Sequence, residues 1–184
     1  MGHNQSKHPE FHRDNLKKEG YVIMVSKSKE KRRWLVLSDK KLSYSLSLGT
    51  PPKNSTTINN KFRVTYDNSS ENSIECQVVN KKGKTQQWII KCETVQEYRA
   101  WSLIIKHAQR PNWDDPRGSS SCKICNGKFT AVTRQHHCRK CGLAVCKKDS
   151  KEREIIPELG YNTKVRVCKN CIGKRSNETP DLNS

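Results

Sequence analysis

Between Cys122 and Cys171 the cysteines come in pairs: C-x2-C, twelve residues, C-x2-C, four residues, C-x2-D, eighteen residues, C-x2-C. Such a spacing lets two thiolates reach one ion, and four pairs, with Asp149 counted, supply enough ligands for two tetrahedral zinc sites. Fully ligated zinc of this kind is structural, because it lacks the open position that catalysis needs. The order of the pairs does not itself say which pair partners which. Within the array, residues 134–142 read RQHHCRKCG, so two histidines and two arginines crowd the second pair. Imidazoles there could ligate metal, act as bases or bond an anion, and guanidinium forks suit phosphate oxygens. No nucleophile or open metal accompanies His136 and His137, which favours recognition over catalysis.

The 184 residues include 36 Lys and Arg against 18 Asp and Glu, a formal charge of +18. That length fits one or two small domains, each with a modest core. Both halves are basic, so both are drawn to a polyanion, either nucleic acid or an anionic bilayer. Neither a C2H2 recognition helix nor a stacking sheet is evident, so no specific nucleic acid is expected. The odd total of nine cysteines argues against a closed disulfide framework, and Cys76 and Cys92 are expected to be small buried hydrophobes. No apolar run approaches the roughly 20 residues of a membrane span, and the amino terminus lacks a secretory core, so a cytoplasmic, reducing location is expected. Met1-Gly2-His3-Asn4-Gln5-Ser6 fits the short N-myristoylation pattern, in which Gly2 is acylated; an unmodified start is the alternative.

These residues need elements to hold them. Residues 1–16 and 175–184 read as flexible ends. Residues 21–26, 34–38 and 41–46 are short apolar runs with Ser38-Asp39-Lys40 as a tight turn, a strand meander. Residues 47–60 contain Pro51-Pro52 and are predicted to be a loop. Residues 62–66, 73–79 and 86–91 supply further strands, with Lys81-Lys82-Gly83-Lys84 as a basic turn. The period then becomes helical: Thr94 and Glu97 form a capping box, and Val95, Tyr98, Trp101, Ile105 and Ala108 share one stripe until Pro111. A curved antiparallel sheet plugged by one helix follows, with Trp101 in its core.

Lys17-Lys18-Glu19-Gly20-Tyr21, Arg33-Trp34 and Glu97-Tyr98-Arg99-Ala100-Trp101 make residues 17–110 resemble a pleckstrin homology (PH) domain. Family members that bind phosphoinositides use basic residues around the first two strands. The resemblance implies such a patch at Lys27, Lys29, Lys31, Arg32 and Arg33, with a protein contact or a solvated loop as the alternative.

Cys122-Lys123-Ile124-Cys125, Phe129, the segment RQHHCRKCG and Arg166-Val167-Cys168 make residues 111–174 resemble a FYVE zinc finger. In that family the pairs interleave. This implies one zinc held by Cys122, Cys125, Cys146 and Asp149, and another by Cys138, Cys141, Cys168 and Cys171. Asp149 stands where the family normally has cysteine; a surface aspartate beside Lys147 and Lys148 is the alternative. The resemblance also implies a phosphatidylinositol 3-phosphate site at Arg134, His136, His137, Arg139 and Arg166, with Ala131 and Val132 at the tip of a membrane-inserting loop. The family's tryptophan corresponds to Trp113, but Pro116 occupies its partner aspartate's place, so that role passes to Asp115 after a one-residue slip. Gln135 replaces a second basic residue. Both departures relax discrimination among isomers, leaving 4-phosphate and 5-phosphate forms as alternatives.

The expected fold class is α+β: a PH-like antiparallel barrel or sandwich capped by a C-terminal helix, then a small cross-braced finger with two Zn2+. The whole resembles tandem PH-FYVE adaptors of the phafin type, or the PH-FYVE part of a guanine-nucleotide exchange factor. It implies a non-catalytic module recruited to phosphoinositide-containing endosomal or phagosomal membranes, with trafficking or small-GTPase-pathway proteins as partners. A protein-only scaffold is the alternative.

Overall fold

The computed structural model describes residues 16–26, 29–59, 61–66, 72–79, 83–114 and 118–174. The Gly2 pattern, Lys27, Lys81-Lys82, Asp115, Pro116 and the tail from residue 175 lie outside these residues. The chain divides into two compact units, Met1–Ile104 and Ile105–Ser184.

In the first unit, β1 (Lys17–Ser26), β2 (Lys29–Ser38), β3 (Lys41–Ser45), β4 (Asn54–Thr57), β5 (Arg63–Tyr66), β6 (Ser73–Val79) and β7 (Thr85–Lys91) form one sheet. Its order is β4-β3-β2-β1-β7-β6-β5, with every neighbouring pair antiparallel. Alternation selects the core: Val22 and Met24, Leu35 and Leu37, Leu42, Ile74, Cys76 and Val78, and Trp88 and Ile90 are buried. A fully buried side chain of this size contributes roughly 1.5–3 kcal/mol. The sheet curls, bringing Thr56 Oγ1 within 3.5 Å of Val79 O and Tyr44 edge-on to Trp88 at 5.1 Å. Burial pushes the thiols of Cys76 and Cys92 up to about 12, with Glu75 adding to the first and Glu97 to the second, which leaves both as inert apolar groups.

The strand β4 lies inside the segment predicted as a loop. Its residues, Asn54-Ser55-Thr56-Thr57, carry no apolar alternation, and backbone pairing to β3 holds them. A strand of this composition leaves no periodic signal. The helix α1 (Val95–Gln109) begins with the amide of Glu97 donating to Thr94 Oγ1 at 3.1 Å. Trp101, Ile105 and Ala108 are buried, whereas Val95, expected on the same stripe, is exposed in the first turn. The division between the units falls within this helix.

The second unit holds two short antiparallel pairs, β8 (His136–His137) with β9 (Ala144–Val145) and β10 (Arg153–Ile156) with β11 (Tyr161–Arg166). Its core combines Val145, Ile156, Leu159 and Val167 with five buried cysteines, and Phe129 packs against it. So small an apolar core needs a further staple. Arg110 is one: its Nε donates to Leu159 O at 2.8 Å, Nη2 to Gly160 O at 3.1 Å, and its guanidinium lies over Tyr161. Among the described residues no helix is long and apolar enough to cross a membrane.

Candidate metal centres and phosphate site

The paired ligands assemble as two groups of four: Cys122, Cys125, Cys146 and Asp149, and Cys138, Cys141, Cys168 and Cys171. In each, the ligand atoms lie within 4.8 Å of one another. The first and third pairs thus close one group and the second and fourth close the other, a cross-brace that ties β8, β9 and the residues after β11 together. Four thiolates around zinc with bonds of about 2.3 Å have edges of about 3.8 Å, and a sulfur–oxygen edge is about 3.5 Å. Cys141 and Cys168 sulfurs are 3.9 Å apart, Cys125 and Cys146 are 4.0 Å apart, and Asp149 Oδ2 is 3.4 Å from Cys122 Sγ and 3.2 Å from Cys146 Sγ. Donor type and spacing both fit Zn2+, so the unit carries two zinc sites.

Asp149 is 5% exposed, in the turn Lys148–Ser150. Its Oδ2 faces the two cysteines while Oδ1 meets Lys169 Nζ at 3.0 Å. The salt-bridge partner is therefore Lys169, not Lys147 or Lys148. That division of labour matches a ligand oriented by a charged neighbour. Backbone amides reach two other ligands: Ile124 N donates to Cys122 Sγ at 3.4 Å and Cys168 N to Cys138 Sγ at 3.3 Å.

The basic segment sits on the outer side of this frame. His137, only 8% exposed, stacks on Trp113 with ring centroids 4.9 Å apart and planes within 8°. Its Nε2 is 3.0 Å from Asp114 O and 3.3 Å from Gln135 Nε2. On Trp113, too, lies the guanidinium of Arg139, 4.4 Å from the ring centroid, with Nη1 donating to His137 O at 2.7 Å. Arg139 N donates to Arg166 O at 2.9 Å, which joins the segment to β11. Arg166 Nη1 donates to Ser150 O at 2.6 Å. Arg134 is exposed and His136 half-buried. Burial, then the guanidinium groups of Arg166, Arg153 and Arg139 and the neighbouring His137, push the His136 pKa down. Burial, then Arg153 and Arg139, likewise pull the Arg166 pKa down. A concentration of positive charge of this kind favours an anion.

Two residues without a role in the sequence reading shape this site. Asp114 anchors the lead-in, since its Oδ2 accepts from Ala144 N at 2.8 Å and its amide donates to Gly142 O. Gly142 permits that approach. Its φ is +81°, and a Cβ there would lie 2.0 Å from Asn112 O, so any other residue would expel the lead-in. Lys140, by contrast, turns away to pair with Glu154, and Glu154 also accepts from Gly173 N at 2.8 Å. Ala131 and Val132 cap a turn in which Thr130 N bonds Thr133 O, and Val132 is 93% exposed.

The PH-like patch belongs to the first unit. Lys29, Lys31 and Arg32 are exposed on the outer end of β2 and Arg33 is half-buried. Arg32 lies over Tyr21 at 3.9 Å and 3.5 Å from Glu93, so it is already engaged; among the described residues Lys29 and Lys31 meet no carboxylate.

Comparison with known proteins agrees with this geometry. The PH domain profile matches residues 16–110, more than half of the chain, and the FYVE zinc finger profile matches residues 112–177. WD repeat and FYVE domain-containing protein 1 of Mus musculus is 33% identical over 101 residues, covering 49% of this chain and 24% of that protein. Vacuolar protein sorting-associated protein 27 of Eremothecium gossypii is 43% identical over 60 residues, covering 33% of this chain and 9% of that protein. The C-terminal PH domain of pleckstrin, solved with an inositol pentakisphosphate, is 20% identical, with a TM-score of 0.42 and coverage of 50% of this chain and 94% of that one. The chain thus spans a quarter or less of these curated relatives' length. The chain belongs to the PH domain family and carries a FYVE zinc finger directly after its PH domain.

Proposed function

We propose that the chain is a non-catalytic membrane-recruitment module whose FYVE finger binds phosphatidylinositol 3-phosphate. The observation that carries this reading is the shared platform of Trp113, which supports His137 on one contact and Arg139 on another beside the zinc frame. Arg134, His136, Arg139 and Arg166 bond the phosphate, and His137 and Trp113 position them. Phosphate-ester oxygens accept charge-assisted bonds from guanidinium groups, and a rigid frame lowers the entropy lost on binding. Asp115, outside the described residues, is assigned the inositol hydroxyls on sequence grounds alone. The two zinc ions, held by the two groups of four, are structural.

The turn carrying Ala131 and Val132 enters the bilayer, where one exposed valine gives a shallow anchor. Lys27, Lys29, Lys31, Arg32 and Arg33 of the PH domain add a second anionic-lipid or protein contact, and two weak modules on one chain raise avidity. The name of the vacuolar protein sorting relative supports a membrane-trafficking role at endosomes; trafficking or small-GTPase-pathway proteins are the partners in this reading. Flotation with liposomes that each carry one phosphoinositide isomer tests the reading. The 3-phosphate form should retain most chain; preference for a 4-phosphate or 5-phosphate form would replace that isomer assignment, and no preference would remove it.

A further inference from the structure

Arg153 carries none of the roles assigned above, yet it stands directly opposite Arg166 in the β10–β11 pair. Like charges at such a cross-strand position repel. The repulsion is not relieved locally, because among the described residues neither guanidinium meets a carboxylate. Glu154, the acid next to Arg153 in sequence, is held by Lys140 and Gly173 N. Both arginines instead bend over one carbonyl: Arg166 Nη1 is 2.6 Å and Arg153 Nη1 is 3.4 Å from Ser150 O. Arg153 makes only two further long bonds, 3.3 Å to Glu152 O and 3.5 Å to Lys151 O, so its charge remains uncompensated.

Each phosphate monoester on the inositol adds about −1.5 to −2 at neutral pH to the charge of the lipid's phosphodiester, and Arg153 and Arg166 both act electrostatically on His136. Arg153, which meets no carboxylate among the described residues, is the cation that a second phosphate would engage.

We propose that Arg153, set beside Arg166 by the strand register, extends the site into a second phosphate limb, so that the finger takes a membrane inositol lipid with two phosphates more tightly than one with a single phosphate. This rests on the phosphoinositide reading of the same site. The zinc-loaded full chain is compared with Arg153→Ala and Arg153→Lys on liposomes matched for total charge, containing phosphatidylinositol 3-phosphate or a phosphatidylinositol bisphosphate that includes the 3-phosphate. Arg153→Ala should lose about tenfold in affinity for the bisphosphate, the order expected of lost charge-assisted bonds, and less than about twofold for the monophosphate. Arg153→Lys should recover part of the preference. Equal losses on both lipids, or none on either, would overturn the limb and leave the main site standing. Wild-type chain blind to all phosphoinositides would instead overturn the reading beneath it.

Discussion

The ring of His137 lies flat on the indole of Trp113, and the guanidinium of Arg139 lies over the same indole at 4.4 Å. One aromatic side chain therefore orients two members of the basic segment. Stacking and cation–π contacts of this kind are each worth about 1 kcal/mol. Trp113→Ala should weaken phosphoinositide-dependent liposome binding by about five- to tenfold while zinc content stays at two, and Trp113→Phe should lose less. Unchanged binding in Trp113→Ala would show that the platform does not position the site.

Asp149 divides its oxygens between the cysteines and Lys169, which sets up a test by metal analysis. Wild-type chain should hold two zinc ions. Asp149→Ala should release one and keep the other, while Asp149→Cys should restore a four-sulfur site and both ions. Because structural zinc in a small finger is worth on the order of 10 kcal/mol, Asp149→Ala should also melt at a much lower temperature. Two ions retained in Asp149→Ala would exclude the carboxylate as a ligand.

His107 sets a pH dependence distinct from zinc binding. Burial, then the neighbouring Arg110, lower its pKa to about 4, against an ordinary value near 6.5. The unfolded chain thus binds a proton that the folded chain refuses between those two values. Stability from this group is complete above pH 6.5 and falls as pH drops toward 4. Melting temperature followed from pH 7 to pH 5, with zinc content monitored, should decline less steeply in His107→Gln than in wild type. Parallel profiles would show that His107 does not contribute.

The zinc ligands were legible because their types and spacing are constrained. C-x2-C pairs and an HHCR segment carry their signal at fixed offsets, and apolar alternation located β6 and most of β7. What escaped was held by backbone and by long-range geometry. The strand β4 is polar and pairs through main-chain bonds. Asp114 acts by capping Ala144 N thirty residues away, and Lys140, which sits among site residues in sequence, points to Glu154. Arg153 meets Arg166 only through strand register. No local pattern encodes such pairings.

In the proposed function, the basic side chains of the RQHHCRKCG segment read a phosphorylated inositol while the cysteines among them hold metal. Arg134 is exposed, so Arg134→Ala removes charge with little effect on packing. The decisive measurement is binding of wild type and Arg134→Ala to phosphatidylinositol 3-phosphate liposomes, with zinc counted in both samples. Each protein should hold two zinc ions, and the variant should lose about tenfold or more in binding, the worth of a charge-assisted phosphate contact. Equal binding by the two proteins, with zinc intact, would contradict it.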